Sequence, residues 1–210
     1  MVETYSRQES PFNKTWPDWT AAWCIWCFQQ PLISNPANDS NGHNCCQNQT
    51  DKNVWYLAGT FGGLNGTRGG HVERACTISS QLAILFPSVV KVSSTKEFSA
   101  STKPTIEVLR LSASTGEIDN VTTNDVNVDG TKLSNSQTPR VQSQLFSFSY
   151  PEVGAAFEAD SGFTEAFCDG RWVFLKPLDK GDHTISFYAE HPEPGGGTFV
   201  VDVEYNLKIT

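Results

Sequence analysis

The C-terminal segment, residues 199–209, alternates strictly between two kinds of side chain. Every second residue from Phe199 to Ile209 is apolar, and the residues between them are mostly polar or charged. An alternation with a period of two indicates a β-strand that buries one face. The segment therefore predicts a half-buried antiparallel strand that ties down the C-terminus of the fold.

Other short apolar segments recur along the chain and are separated by turn residues. Two of them form a predicted hairpin around Asp129-Gly130, and the run 76–92 is expected to be two strand segments divided at Pro87. Residues 103–113 fit a short helix or a strand equally well. No repeated βα unit is present, so we expect a mainly β fold, an antiparallel β-sandwich of the jelly-roll type. The remaining predicted strands lie at 53–59, 145–150, 171–178 and 182–190.

A tryptophan-rich segment precedes these strands and predicts a helix at about 16–30. Its tryptophans recur at helical spacing, Thr15 is a suitable N-cap, and Pro31 ends the segment. A ligand platform and a membrane-surface face are alternatives, but such a stripe more often packs into a core. We therefore expect this helix to pack on the sandwich. The tryptophans are Trp16, Trp19, Trp23 and Trp26.

The domain organisation is expected to be simple. Residues 1–14 are polar and are interpreted as an N-terminal arm. No Pro/Ser-rich linker divides the remainder, so residues 15–210 are expected to form a single domain.

The charge of the chain argues against two classes of partner. The net charge is −8, and lysine and arginine form no cluster in the sequence. Nucleic acid and anionic lipid are therefore not expected as partners. No apolar run has the length of a spanning helix, so membrane insertion is not expected either.

The cysteines and glycosylation sequons favour a secreted or cell-surface protein. The numbered chain shows no signal-peptide pattern, so this interpretation assumes a leader before Met1. Six cysteines are an even number and suit an oxidising compartment. The five sequons, which are candidate glycosylation sites, are at Asn13, Asn38, Asn48, Asn65 and Asn120.

A set of short motifs is spread along most of the chain. These motifs are the Trp-rich segment, Asn35-Pro36, Asp39, Gly42, Cys45, the run VWYLAGTFGG from Val54, Arg74-x-Cys76-x-Ile78, Ala83 to Pro87, Val128-Asp-Gly130, Arg140-x-Gln142-Ser143, Asp169-Gly-x-Trp172, Lys176-Pro-Leu178, Gly181-x-His183-Thr-Ile185 and Tyr205-x-Leu207. Together they resemble a family of mostly uncharacterised bacterial proteins that are taken to be exported. The resemblance is weak over 93–123, and it implies a shared fold and a Cys45–Cys76 disulfide but no activity.

Four cysteines depart from the family pattern and are expected to form two further bridges. Cys24 and Cys27 share one face of the predicted helix and can reach the same neighbour, with Cys46 and Cys168 as partners. A redox-active pair of Cys24 and Cys27 is an alternative. A zinc site is another alternative, with ligands from Cys24, Cys27, His43, Cys45 and Cys46.

A partial calcium-loop pattern coincides with the predicted hairpin. Asp125, Asn127 and Asp129 place oxygen ligands at alternate positions before Gly130. Position twelve of that loop would be Ser136 instead of a bidentate glutamate. A hairpin turn is therefore favoured, and calcium is the alternative; no other cofactor is expected.

Catalysis has one candidate set of residues, the carboxylates Glu158, Asp160, Glu165 and Asp169. Paired carboxylates on a β-sandwich would suit a glycosidase. His183, at a strand start, is expected to bond a turn carbonyl instead of acting as a base.

The leading hypothesis is a non-catalytic secreted or surface module that binds carbohydrate or protein. The alternatives are a glycosidase-like hydrolase and a self-assembling structural subunit, which would pair through an exposed edge of the final strand.

Overall fold

The fold is described by a computed structural model of residues 2–61, 63–64, 67–68, 70–99, 102–193 and 196–210. Strands make up 39% of the chain and helical turns 19%, as expected for a mainly β protein. The helices are α1 (Trp16–Phe28) and α2 (Ile106–Ser114). The strands are β1 (Val54–Tyr56), β2 (Gly63–Leu64), β3 (Thr67–Arg68), β4 (Val72–Ile78), β5 (Ala83–Ser94), β6 (Thr123–Val128), β7 (Thr131–Lys132), β8 (Arg140–Gln142), β9 (Phe146–Tyr150), β10 (Gly162–Leu175), β11 (Gly181–Pro192) and β12 (Thr198–Ile209).

Two five-stranded sheets form the sandwich. The helix-side sheet has the order β1-β5-β10-β8, with β9 also paired to β10, and the outer sheet has the order β4-β12-β11-β6-β7. Strands β1 and β5 are parallel, and so are β4 and β12. The sheets are therefore mixed and not purely antiparallel as expected. Alternation in a sequence specifies which face of a strand is buried, but it does not specify the direction of the neighbouring strand.

The final strand confirms its predicted burial, and most of its length is paired on both sides instead of having an exposed edge. Alternate residues from Val201 to Ile209 are buried in the interior. Strand β12 pairs with β11 on one side and with β4 on the other, so it lies inside the outer sheet. The part Val203–Ile209 therefore has no free edge for strand addition, whereas residues 198–202 pair only with β11 among the described strands.

Helix α1 covers the helix-side sheet and gives the molecule three layers. Thr15 and Asp18 form a reciprocal capping box at its start, as the sequence suggested for the cap. All four tryptophans are buried, and every residue of α1 is buried or half-buried. The helix is therefore apolar on almost all sides instead of along one stripe, which is typical of a helix enclosed by the fold.

Strand β5 continues through Pro87 and is not divided into two segments. In the pairing with β10, Trp172 lies opposite Pro87 and Arg171 lies opposite Val89, so Ser88 is an extra, bulged residue. The Ser88 hydroxyl donates to the Asn124 side chain of β6, which links the two sheets. The bulge accommodates the proline, and the strand therefore continues beyond it.

Residues 106–114, which the sequence left open, and the N-terminal arm both contact β10. Residues 106–114 form the helix α2, capped by Thr105, whose Leu109 and Ala113 pack with Phe167. In the N-terminal arm, the Tyr5 amide donates to the Phe174 carbonyl at 2.8 Å, so the arm follows the end of β10.

Within the described part of the chain, no helix is long and apolar enough to cross a membrane.

Candidate functional site: a groove at the open edge of β5

The pairing of β1 with β5 stops after Leu85 for a chemical reason. The Ala83 amide donates to the Asn53 carbonyl at 3.0 Å, and the Leu57 amide donates to the Leu85 carbonyl at 3.1 Å. In a parallel ladder the next donor would be the amide of residue 87, directed at the Leu57 carbonyl. Pro87 has no N–H group, and the Trp23 indole donates to that carbonyl instead, at 2.8 Å. The ladder therefore ends at this point.

Beyond Leu85, no strand in the described ranges pairs with this edge of β5. A groove of about 500 Å³ lies beside residues 87–92 and is lined mostly by apolar side chains. An unpaired strand edge thus forms the floor of a concave apolar site. We call this site the β5-edge groove.

The two walls of the groove belong to different hydrophobic layers. The helix-side wall packs with the tryptophan core, and the sheet-side wall packs with the outer sheet. The helix-side wall contains Trp23, Phe28, Phe61, Val90, Val92 and Tyr150, and the sheet-side wall contains Val89, Ile118, His191, Phe199 and Val201. The groove therefore has an apolar surface on each side of the strand edge.

Phe157 stands at the mouth of the groove in an unusual backbone conformation. Its φ is 56° and that of Glu158 is 55°, a left-handed geometry that costs a non-glycine residue roughly 1–2 kcal/mol. The ring is 65% exposed, although its centroid lies 5.0 Å from that of Phe61. Because the ring is exposed beside the groove, it is available for contact with a molecule bound there.

Among the residues described at the rim, acidic groups outnumber basic groups. The carboxylates are those of Glu97, Glu117, Glu158, Asp160 and Glu193, against the ammonium groups of Lys91 and Lys96. Both lysines already have partners, since Lys91 pairs with Glu117 and Lys96 donates to the Ser161 carbonyl at 2.9 Å. The rim is therefore negative.

Two rim carboxylates have perturbed acidities. Desolvation raises the pKa of Glu97, and a hydrogen bond from the Ser94 amide opposes this effect without cancelling it. Burial acts to raise the pKa of Glu117, but its bond with Lys91, a backbone hydrogen bond and the nearby positive charges together outweigh burial, and the pKa is lowered. Glu117 is thus held as an anion beside its lysine.

The four carboxylates proposed for catalysis do not share an environment. Glu158 and Asp160 lie at the groove, whereas Glu165 and Asp169 lie on β10. Asp169 is buried and its Oδ2 accepts from Arg140 Nε and Nη2 at 3.1 and 2.9 Å. Asp169 therefore serves an ion pair that fixes β8 to β10.

The calcium candidates lie along a hairpin. Asp129 and Gly130 have φ values of 50° and 73°, which is the predicted type I′ turn. Asp125 pairs with Lys132, and Asp129 accepts from the Thr184 amide and contacts His183. Asn127 lies opposite Lys132 in the ladder. Among the residues described, no cluster of three or more His, Cys, Asp and Glu side chains suits a metal ion.

His183 has the structural role that the sequence suggested. Its Nε2 lies 2.9 Å from the Asp179 carbonyl and its Nδ1 lies 2.7 Å from Asp129 Oδ2. Partial burial acts to lower its pKa, but these two hydrogen bonds outweigh it and the pKa is raised.

One disulfide is formed, between Cys45 and Cys76, as the family resemblance implied. The two further bridges are absent, because Cys24, Cys27, Cys46 and Cys168 are free thiols. Burial raises the pKa of Cys24, and its hydrogen bond with Cys168 raises it further; burial also raises the pKa of Cys27. Such thiols are poor nucleophiles and poor metal ligands, which disfavours a redox pair. His43 is exposed, and Cys45 is committed to its disulfide.

The sequons differ in the surroundings of their amides. Asn13, Asn48 and Asn120 are exposed, whereas Asn38 is half-buried and donates from Nδ2 to the Leu32 carbonyl. Asn48 donates to the Gln30 side chain just after α1, and Asn120 donates to the Gly116 carbonyl of its own loop. Asn65 lies outside the described residues.

Sequence reasoning missed the groove, although one of its signals is readable. Pro87 inside an apolar strand segment marks a position that cannot donate to a neighbouring strand. The exposed ring of Phe157 and the two walls had no such signal, because they depend on contacts between distant segments.

Comparison of the chain with protein-family profiles, with curated proteins and with solved structures gives no match. The resemblance to the exported bacterial family therefore stays a prediction.

Proposed function

We propose that the protein is a binding module that accepts an extended segment of another polypeptide as an added strand in the β5-edge groove. The single observation that carries this proposal is an unpaired strand edge on the floor of a concave apolar site. Strand addition combines main-chain hydrogen bonds with pockets for alternate side chains.

The two walls fit the side-chain geometry of an added strand. Successive side chains of a strand point to opposite faces of its sheet. An occupant would therefore direct one set of side chains at the helix-side wall, where Phe61 and Val92 are half-buried, and the other set at the sheet-side wall, where Phe199 is half-buried. A sugar ring would engage only one of these walls at a time.

The charge at the rim favours a basic occupant. Glu158 and Asp160 are exposed, and both rim lysines are already paired. A segment with lysine or arginine beside its apolar positions would complement this rim. A second copy paired edge to edge would bring two negative rims together, which disfavours self-association.

Secretion or surface display is part of the same proposal. The Cys45–Cys76 disulfide and the exposed sequons at Asn13 and Asn48 support an oxidising compartment. A partner segment would then be met outside the cell.

The test uses the full chain and fluorescent octapeptides of alternating valine and threonine, flanked by lysine, glycine or glutamate. Binding is measured by anisotropy. We expect the lysine-flanked peptide to bind most tightly and the glutamate-flanked peptide least. Methylation of alternate backbone nitrogens on the bonded edge should abolish binding, because it removes the main-chain donors.

A matched pair of variants locates the site. Phe157→Ala should weaken binding at least about tenfold, because truncating a hot-spot aromatic costs about 2 kcal/mol or more. Phe163 is 67% exposed on β10 and does not line the groove, so Phe163→Ala should bind as the wild type does. Equal binding of methylated peptides, preferential binding of oligosaccharides, or concentration-dependent dimers in light scattering would each refute the proposal.

A further inference from the structure

Three sulfur atoms meet where the loop 39–48 lies against β4. Cys45 is bonded to Cys76, and the exposed free thiol of Cys46 lies 3.8 Å from the Cys45 sulfur. A thiol in van der Waals contact with a disulfide is placed for exchange, which proceeds by attack of a thiolate on a disulfide sulfur.

The backbone of this loop is held on β4 without help from the disulfide. Gly42 has a φ of +90°, and a Cβ there would lie 2.5 Å from the Ala75 carbonyl oxygen. The Ala75 amide donates to the Asn41 carbonyl, and the buried Arg74 side chain donates to the Asp39 carbonyl at 2.8 Å. The sulfurs would therefore stay together when the bond between Cys45 and Cys76 is broken.

The Asp39 side chain fixes the direction of the loop. Its Oδ1 accepts from the Asn41 amide at 3.1 Å, and its Oδ2 accepts from the Asn44 amide at 2.7 Å. Cys45 is buried and Cys46 is exposed, so the two neighbours differ in their access to solvent and base.

We propose that Cys45, Cys46 and Cys76 form a thiol–disulfide exchange site in which Cys76 pairs with either cysteine of the loop. The Cys46 thiolate attacks the Cys45 sulfur, a Cys45–Cys46 bond forms, the Cys45–Cys76 bond breaks, and Cys76 leaves as the thiolate. The Cys76 thiolate then attacks the Cys46 sulfur, a Cys46–Cys76 bond forms, and Cys45 leaves as the thiolate. One disulfide and one thiolate are present throughout, so the two exchange steps need no oxidant or reductant.

Differential alkylation tests this site independently of peptide binding. The folded protein is incubated at mildly alkaline pH, quenched in acid and denatured, and its free thiols are labelled with N-ethylmaleimide. The disulfides are then reduced and labelled with iodoacetamide. Fragment spectra across the bond between residues 45 and 46 show which cysteine was free.

We expect two populations in the wild type, one with maleimide on Cys46 and one with maleimide on Cys45. Cys46→Ser should show only the Cys45–Cys76 bridge, and Cys45→Ser should form a Cys46–Cys76 bridge in its place. Maleimide on Cys46 alone after prolonged incubation would overturn the proposal, and so would a free Cys76 in folded Cys45→Ser.

Discussion

The two halves of β5 differ in what lies at their free edge, although each half contains apolar side chains. From Ala83 to Leu85 the edge pairs with β1, and the side chains are fully buried. From Val90 to Val92 it faces the groove, and the side chains are half-buried. The missing amide of Pro87 and the Trp23 indole separate the two halves. Apolar side chains in a strand therefore do not by themselves distinguish a segment that builds the core from one that offers a binding edge.

The largest expected effect separates stability from binding along this one strand. Leu85→Ala empties a fully buried site and should lower the free energy of unfolding by about 2–5 kcal/mol. Val92→Ala, in the open half, should lower it by roughly 1 kcal/mol or less while weakening octapeptide binding. Urea denaturation and anisotropy measure the two quantities. Equal losses of stability would show that the open half is core after all.

A double-mutant cycle tests the boundary between the halves. Trp23→Phe leaves the Leu57 carbonyl without its donor and should cost about 1–3 kcal/mol, plus the packing lost with the smaller ring. Pro87→Ala supplies the amide that the parallel ladder lacks, so it should recover part of this loss in the Trp23→Phe background. Urea denaturation of the four proteins gives the coupling energy. Strict additivity would contradict the assigned role of Pro87.

The smallest effect concerns Tyr150 in the wall of the open half. Burial raises the pKa of its phenol to about 12, against the ordinary value of 10.0. Because the folded pKa is raised, its contribution to stability is complete below about pH 10 and is lost as the pH rises towards about 12.

Tyr150→Phe should therefore make the free energy of unfolding fall less steeply between those two pH values. Tyr188→Phe is the comparison: the pKa of Tyr188 is also raised, first by its bond with Glu190, so this variant should flatten the same pH range without involving the groove wall. An unchanged slope in Tyr150→Phe would show that the groove wall is open to water at the phenol.

Several elements were predictable from local pattern alone. The capped helix α1, the hairpin turn at Asp129-Gly130 and the burial of β12 follow from caps, turn chemistry and alternation. The parallel partners of β5 and β12 were not predictable, because the sequence of one strand does not specify the direction of the strand beside it. The candidate carboxylates illustrate the same limit, since Asp169 forms an ion pair with Arg140 instead of pairing with a second carboxylate.

The sequence by itself determined the burial of the final strand, the hairpin turn at Asp129-Gly130, where helix α1 begins, and that its tryptophans are buried, because these follow from side-chain period and backbone chemistry. Only the tertiary structure decided that β12 lies inside a sheet, that the strand edge beyond Leu85 is open, and that Cys46 lies beside a disulfide. Those three features depend on contacts between residues that are distant in the chain, and local preferences do not specify such contacts.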